Sequence, residues 1–263
     1  MKFMLHLLLC FTLLSTVGCT SSTSQLDIAI SKAMSKQTKI DNINGPKLIC
    51  KPVPLDDSNI QTSLPTKSIQ AITRFETQGF PLGKYEFYAI RLDNSKVLIG
   101  KYYMDEQGEF QLIDTNQKAP LSEYLLYSFA CIQGESIHFV LVSEDRAYAA
   151  SDFIIPNPIE TKWSDGALVS MIALGPSMEC FLIQGSGFKS KENIEIISCV
   201  SGASGSSDLT ANTTGAWNRL LDAVDPCETG GRGALIIKRA NGEIKTIKYY
   251  HGTDALKTIF DDQ

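Results

Sequence analysis

Seven cysteines are the most reactive groups in this 263-residue chain, and their positions give them different fates. Cys10 lies within an apolar run from Phe3 to Val17 that follows Lys2 and ends in small residues before Cys19. A positive start, an apolar stretch and a small-residue end are the layout of a cleaved export signal. A spanning helix needs about 20 apolar residues, and here the polar Ser21, Ser22, Thr23 and Ser24 follow with no charged flank. Cleavage before Cys19 removes Cys10 and makes Cys19 the first residue. Cys50, Cys131, Cys180, Cys199 and Cys227 remain, in spacings that match no zinc pattern, and export permits disulfides. Connectivity does not follow from sequence, and an odd count leaves at least one thiol unpaired. The preferred pairing is Cys199 with Cys227, both in turn-flanking positions, ahead of Cys50 with Cys131. Cys180 sits in the apolar run Cys180-Phe181-Leu182-Ile183 and reads as a buried thiol.

The other reactive side chains form no recognisable constellation. After the signal only His138 and His251 remain, too few for a multi-histidine metal site, and a Ser-His-Asp site would have to use one of them. His138 falls inside an expected strand, and His251 ends the last strand, where solvent should reach it. No Gly-x-Ser-x-Gly elbow occurs; Gly175-Pro176-Ser177 reads as a hairpin turn. The glycine- and serine-rich stretch 201–207 lacks the Gly-Lys-Ser/Thr ending of a phosphate loop and reads as a flexible connection between strands. Gly230-Gly231-Arg232-Gly233 reads as a glycine-rich loop, with an anion-holding nest around Arg232 as the sharper reading. Tyr102, Tyr103, Tyr249 and Tyr250 flank hairpins, where cross-strand packing explains them more simply than a ligand platform. Asp41-Asn42-Ile43-Asn44-Gly45 fails as a calcium loop, since Ile43 takes a ligand position. An exported hydrolase built from turn carboxylates such as Asp93, Asp105 and Glu109 is the alternative reading, although acids in turns are mostly turn formers. The sequence therefore assigns no catalytic, cofactor-binding or metal-binding residue.

Charge narrows the partners. The chain has 24 basic and 29 acidic residues, a net of −5, and losing Lys2 makes it one unit more acidic. No basic run stands out, which argues against nucleic acid and against electrostatic docking on anionic lipid.

The elements that carry these residues are short strands. Residues 20–46 are polar, with Ser24 and Asp27 arranged as a capping box before a short helix through about Lys36 that carries Leu26, Ile30, Ala33 and Met34. A flexible tether is the equal alternative there. From Lys47 onward, strands joined by tight turns recur: 87–90 into 97–99, 101–103 into 110–113, 137–141 into 147–148, 169–174 into 181–183, and 235–237 into 244–249. Asn241-Gly242 in the last suits a two-residue type I′ turn. Segments 120–127 and 217–222 fit helix or strand.

The order of elements repeats. Gly79-Phe80 returns as Gly187-Phe188, and Asp105-Glu106-Gln107-Gly108-Glu109-Phe110 returns as Asn212-Thr213-Thr214-Gly215-Ala216-Trp217. Gly134-Glu135 behind Cys131 parallels Gly233-Ala234 behind Cys227. A near-constant offset means one module used twice, with Pro156-Asn157-Pro158 as a stiff junction.

Two resemblances follow from these residues. Thr16-Val17-Gly18-Cys19 resembles the lipobox of bacterial lipoproteins, with Thr16 where Leu is usual. That resemblance implies acylation of Cys19 and, since Thr20 is not the Asp of the inner-membrane sorting rule, a lipid-anchored place in the outer membrane. Gly187-Phe188, the Asn212–Trp217 turn and the terminal hairpin resemble the immunoglobulin-like and IPT/TIG-like modules of bacterial surface proteins, with Lys191-Glu192 in place of their usual Gly-Glu. The expectation is an all-β chain with a signal peptide at 1–18, a lipid-anchored tether at 19–46, and two tandem immunoglobulin-like β-sandwiches at 47–156 and 157–263. Such modules space, present or bind. The expected function is a non-enzymatic binding, presentation or assembly role with an envelope protein partner, and neither a cofactor nor an oligomeric state is implied.

Overall fold

The computed structural model describes residues 25–36, 45–54, 69–113, 120–129, 131–200, 203–223 and 229–255. The signal segment, Cys19, the 41–44 stretch and Cys227 lie outside the described residues. The chain forms two compact units. The first unit begins with helix α1 (Gln25–Lys36) and continues as β1 (Lys47–Val53), β2 (Ile69–Gln78), β3 (Gly83–Ile90), β4 (Lys96–Met104), β5 (Phe110–Leu112), β6 (Leu125–Phe129), β7 (Ile137–Ser143) and β8 (Ala149–Ile154). These strands make two antiparallel sheets in the orders β1-β2-β6 and β5-β4-β3-β7-β8. Phe75 of β2 reaches across to Phe87 of β3 and Phe139 of β7 in edge-on contacts, with ring centroids 4.8 and 5.0 Å apart. All three rings are fully buried, so alternation along each strand aims its large apolar residues at the opposite sheet.

The second unit holds β9 (Ile159–Lys162), β10 (Leu168–Ala173), β11 (Cys180–Ser186), β12 (Asn193–Val200), β13 (Ala203–Thr210), β14 (Trp217–Asp222), β15 (Gly230–Arg239) and β16 (Ile244–Gly252). Its sheets run β14-β11-β10-β9 and β13-β12-β15-β16. Seven strands therefore recur in the same spatial order. The pattern β1-β2-β6 over β4-β3-β7-β8 matches β10-β11-β14 over β13-β12-β15-β16, with β5 and β9 as the additions. This is the immunoglobulin-type sandwich expected from the repeat.

The repeated sequence signals fold alike. Gly79 and Gly187 both take positive φ, 71° and 73°. In the first turn the Asp105 Oδ1 accepts from the amides of Gln107 and Glu109; in the second the Asn212 Oδ1 accepts from Thr214 and Ala216. The next strands then diverge. Phe110 enters β5, which folds back on β4, whereas Trp217 enters β14, which pairs with β11 in the other sheet.

Three expectations change. First, of the two readings of this stretch the helix is the one formed, over residues 25–36, and it packs on the first sandwich where the domain reading places a tether. Ala29 and Ile30 are buried against Ile90, Val140 and Val142, with Leu26 and Met34 alongside, the spacing of a single helical face. Val140 and Val142 point away from the sandwich core, so β7 is apolar on both faces because α1 covers the outer one. Second, Cys131–Ser136 belongs with the second unit, and the chain passes into that unit for good after Ile154. The amide of Gly134 donates to the Asn157 carbonyl at 2.7 Å and that of Ala173 to the Gly134 carbonyl at 3.0 Å. Third, the Asn241-Gly242 turn is a three-residue loop. Arg239 N donates to Glu243 O and Gly242 N to Arg239 O, and of the turn residues only Gly242 is left-handed, at φ 86°. That is a type I turn with a bulge, and the Asn241 side chain closes it by accepting from the Glu243 amide.

Candidate binding surface

Of the two ambiguous stretches, residues 120–127 give a 3₁₀ turn at Leu121–Glu123 followed by β6, and residues 217–222 give β14. Neither brings reactive groups together. Asp93 and Asp105 sit at opposite ends of β4, whose nine residues separate them by about 30 Å at the usual strand rise. Each carboxylate is held by its own turn: Asp93 accepts the Ser95 amide, and Asp105 accepts those of Gln107 and Glu109. Hydrogen bonds of this kind keep Asp105 below the usual carboxylate range, the Glu109 amide contributing most. Glu109 is exposed. Among the described residues no three His, Cys, Asp or Glu side chains gather as metal ligands.

The histidines and tyrosines separate by face. His138 is a half-buried side chain on the outer face of β7, packed on Phe153 at 5.3 Å. Burial lowers its pKa, against the opposing pull of Asp152. His251, expected in solvent, is completely buried, because the alternation that buries Ile247 and Tyr249 also turns residue 251 inward. Tyr102 and Tyr249 face the cores while Tyr103 and Tyr250 face outward, so the four form no common platform. Gly230–Gly233 is part of β15 in continuous register with β16, which excludes the nest. Gly233 serves packing: a Cβ there would stand 2.3 Å from the Tyr249 ring.

A charge cluster that the sequence did not signal fixes one end of the second sandwich. Arg239 has no exposed side-chain surface. Its Nε donates to Glu192 Oε1 at 2.7 Å and its Nη2 to Glu192 Oε2 at 2.9 Å. Its Nη1 meets Asp165 at 2.8 Å and Glu243 at 3.3 Å. The guanidinium also lies over the rings of Phe188 and Trp163, at 5.1 and 5.7 Å from their centroids. Hydrogen bonding to Arg239 holds Glu192 and Asp165 below the usual carboxylate range. Glu192 follows Lys191, which adopts φ 59°. Lysine therefore takes the left-handed position that glycine fills in Gly134-Glu135, where Gly134 has φ 80°. In both loops the Glu carboxylate accepts the amide three residues back.

The second module's β13-β12-β15-β16 sheet turns one face to solvent. Its outer rows run Asp208-Glu195-Lys238-Ile244, Ser206-Ile197-Ile236-Thr246 and Ser204-Cys199-Ala234-Lys248. Glu195 and Lys238 pair at 3.2 Å, and Ile197 and Ile236 between the polar rows are half-buried. Cys199 is half-buried on β12; its expected partner, Cys227, lies outside the described residues. Cys50 and Cys180 are free thiols, so the second-choice pairing of Cys50 with Cys131 is not formed. Cys50 is occupied otherwise, its amide donating to Asp152 at 2.6 Å. Cys180 is only half-buried, at the start of β11.

Along this sheet, β13 is an edge of unusual composition. Its eight residues, Ala203-Ser204-Gly205-Ser206-Ser207-Asp208-Leu209-Thr210, pair with β12 in unbroken register and with no other strand among those described. It contains no lysine, arginine or proline. The other edges are guarded. Lys47, Lys51 and Pro52 lie on β1, Lys162 on the four-residue β9, Arg219 on β14, and Lys245 and Lys248 on β16. Strand β5 has three residues, β6 pairs in an irregular register, and α1 packs along β8. Natural sheets block unwanted strand pairing with such devices, and β13 carries only the single acidic residue Asp208, near its end.

The chain is thus an all-β protein of tandem immunoglobulin-type modules. No family model and no curated protein matches it. Solved structures that it resembles include a tetra-tandem repeat from the extending region of a large adhesion protein, at 13% identity and TM-score 0.24, over 80% of this chain and 50% of that one. A two-domain fibronectin type III segment of chicken tenascin gives 12% identity and TM-score 0.23, over 79% and 99%. The β-glucuronidase of Parabacteroides merdae gives 15% and 0.23, over 68% and 22%. The chain spans half or less of the adhesin-repeat and glucuronidase structures, and none of these likenesses bears on ligand, activity or partner.

Proposed function

We infer that this protein is an envelope lipoprotein, held in the outer membrane by lipid on Cys19, whose modules bind or present a protein partner without catalysis. The observation that carries the binding role is the bare β13 edge. Strand addition uses main-chain N–H and C=O groups for affinity and side-chain pockets for selectivity. An eight-residue edge of mostly small side chains leaves those main-chain groups open to an extended segment of the partner. The half-buried Ile197 and Ile236 lie beside it as the apolar part of the same surface.

The test is photocrosslinking in cells from Ser204 and Ser206, with Tyr103 of the first module as the control position. One envelope protein captured from β13 in stoichiometric yield, and not from Tyr103, is the expected result. Guarding the edge in the manner of the others, with Ser204→Lys and Ser206→Lys, should lower that yield severalfold. A capture spread over many proteins, or one indifferent to the lysines, removes β13 as the docking edge.

A further inference from the structure

We propose, resting on β13 as the docking edge, that the strand it receives carries a basic residue and a large apolar residue two positions apart on one face. An edge strand directs the N–H and C=O groups of alternate residues away from its sheet. Six of the eight residues of β13 are exposed. Main-chain groups accept any extended chain, so selectivity comes from the side chains beside them. The ladder with β12 sets Ser204, Ser206 and Asp208 on the outward face, opposite Cys199, Ile197 and Glu195. Ser207 and Leu209 lie on the inward face, opposite the buried Ile196 and Ile194.

Charge sets the first position. Asp208 is the only charged residue of β13; it is exposed and makes no ion pair among the described residues. Glu195 stands directly opposite it and is already engaged by Lys238 at 3.2 Å. Like charges opposite one another weaken a sheet, and two acids against one lysine leave a negative charge unmatched. A groove of about 590 Å³ opens over this row, walled by Glu195, Asp208, Thr210, Lys238 and Ile244. The position therefore takes a long basic side chain and repels an acid. Size sets the second position. Ser206 is small, and Ile197 behind it is half-buried with Ile236 as its next neighbour. Strands lie about 4.8 Å apart, so a large apolar side chain placed opposite Ser206 reaches across it to cover Ile197. A small side chain there leaves that carbon in water. The residue between the two faces inward beside the half-buried Ser207 and Leu209, where an apolar side chain extends the edge of the core.

The full-length protein, labelled with nitrogen-15, is titrated with the end-blocked peptide lysine-valine-phenylalanine-valine-lysine, whose symmetry suits a parallel or an antiparallel approach. Comparison peptides replace both lysines by glutamate, replace the phenylalanine by serine, or methylate every backbone amide nitrogen. The expected result is saturable movement of the amides of 203–210 by the lysine peptide, with a dissociation constant on the order of 1 mM or tighter. The glutamate and serine peptides should each bind roughly two- to fivefold more weakly, the span of an exposed cross-strand pair. The methylated peptide should not bind. Asp208→Lys should reverse the order of the lysine and glutamate peptides, and Ile197→Ser should erase the advantage of phenylalanine over serine. Both side chains lie on the outward face, and the remaining spectrum reports that each variant stays folded. No saturable shift with any peptide up to about 10 mM, or an order of peptides unchanged by Asp208→Lys, overturns the proposed partner chemistry. A complex that is lost on methylation yet indifferent to side chains keeps the edge and removes its selectivity. Binding that survives methylation removes the edge as well.

Discussion

Arg239 is where single residues decide the most. Its side chain is wholly buried, and Glu192 beside it is 5% exposed, so this pair has left water and depends on its own geometry. Asp165 and Glu243 are nearly half exposed and contribute little in comparison. Arg239→Met keeps the contact with Trp163 and Phe188 but strands the Glu192 carboxylate, an arrangement that costs about 3 kcal/mol. The pH dependence separates charge from packing. Arg239 depresses the Glu192 and Asp165 pKa values in the folded state. The stability they contribute is therefore complete above the unfolded carboxylate values near pH 4 and is lost as pH falls through the folded values. Urea unfolding of the two proteins should show a gap at pH 7 that narrows toward pH 3. A gap of constant size would assign the whole effect to packing on the rings. The sequence could not show this cluster, because Asp165, Glu192 and Arg239 come from three separate turns and meet only when both sheets are in place.

At the scale of elements, the strands and turns were the most legible part. The alternation in Ile194-Glu195-Ile196 and the turn signals put the five expected hairpins in place, since both depend on a few neighbouring residues, but residues 203–207, expected as a flexible connection, belong to strand β13 and pair with β12. What failed was whatever depended on a distant partner. Val140 and Val142 broke the alternation of β7, and that break was the available sign of a second covered face; its cause, α1, lies more than a hundred positions earlier. His251 reads as a polar strand end until the register with β15 turns it inward. Lys191 hid its loop's kinship with Gly134-Glu135, because a left-handed φ is expected of glycine and not of lysine. The pairing of β11 with β14 shows how one position can join two elements. Gly185 lies opposite Trp217, and a Cβ there would stand 2.1 Å from the indole. Gly185→Ala should therefore cost about 1–3 kcal/mol by overpacking. If the indole is the reason, Gly185→Ala should cost much less when Trp217→Leu is already present. A double-mutant cycle in urea measures that coupling, and additive costs would mean that the strand resists the alanine for another reason.

For the whole molecule the question is what carries two sandwiches to a partner. The expected answer lies in Cys19, and it follows from the arithmetic of anchoring. One acyl chain holds a protein only marginally, at about 0.8 kcal/mol for each buried methylene, and several hold it firmly. An acylated Cys19 therefore predicts a protein that stays with membranes through salt and carbonate washes, which remove proteins bound by charge. This chain, with its net charge of −5, has no basic surface run to bind anionic lipid by that route. Cells fed an alkyne-bearing palmitate should label the wild-type protein, and Cys19→Ala should lose both the label and the membrane fraction. Recovery of the unmodified wild type in the soluble exported fraction would instead mean a plain secretory signal that ends by coincidence in Gly-Cys. The partner would then have to be met in solution, and β13 would lose the local concentration that a shared membrane gives to a weak strand-addition contact.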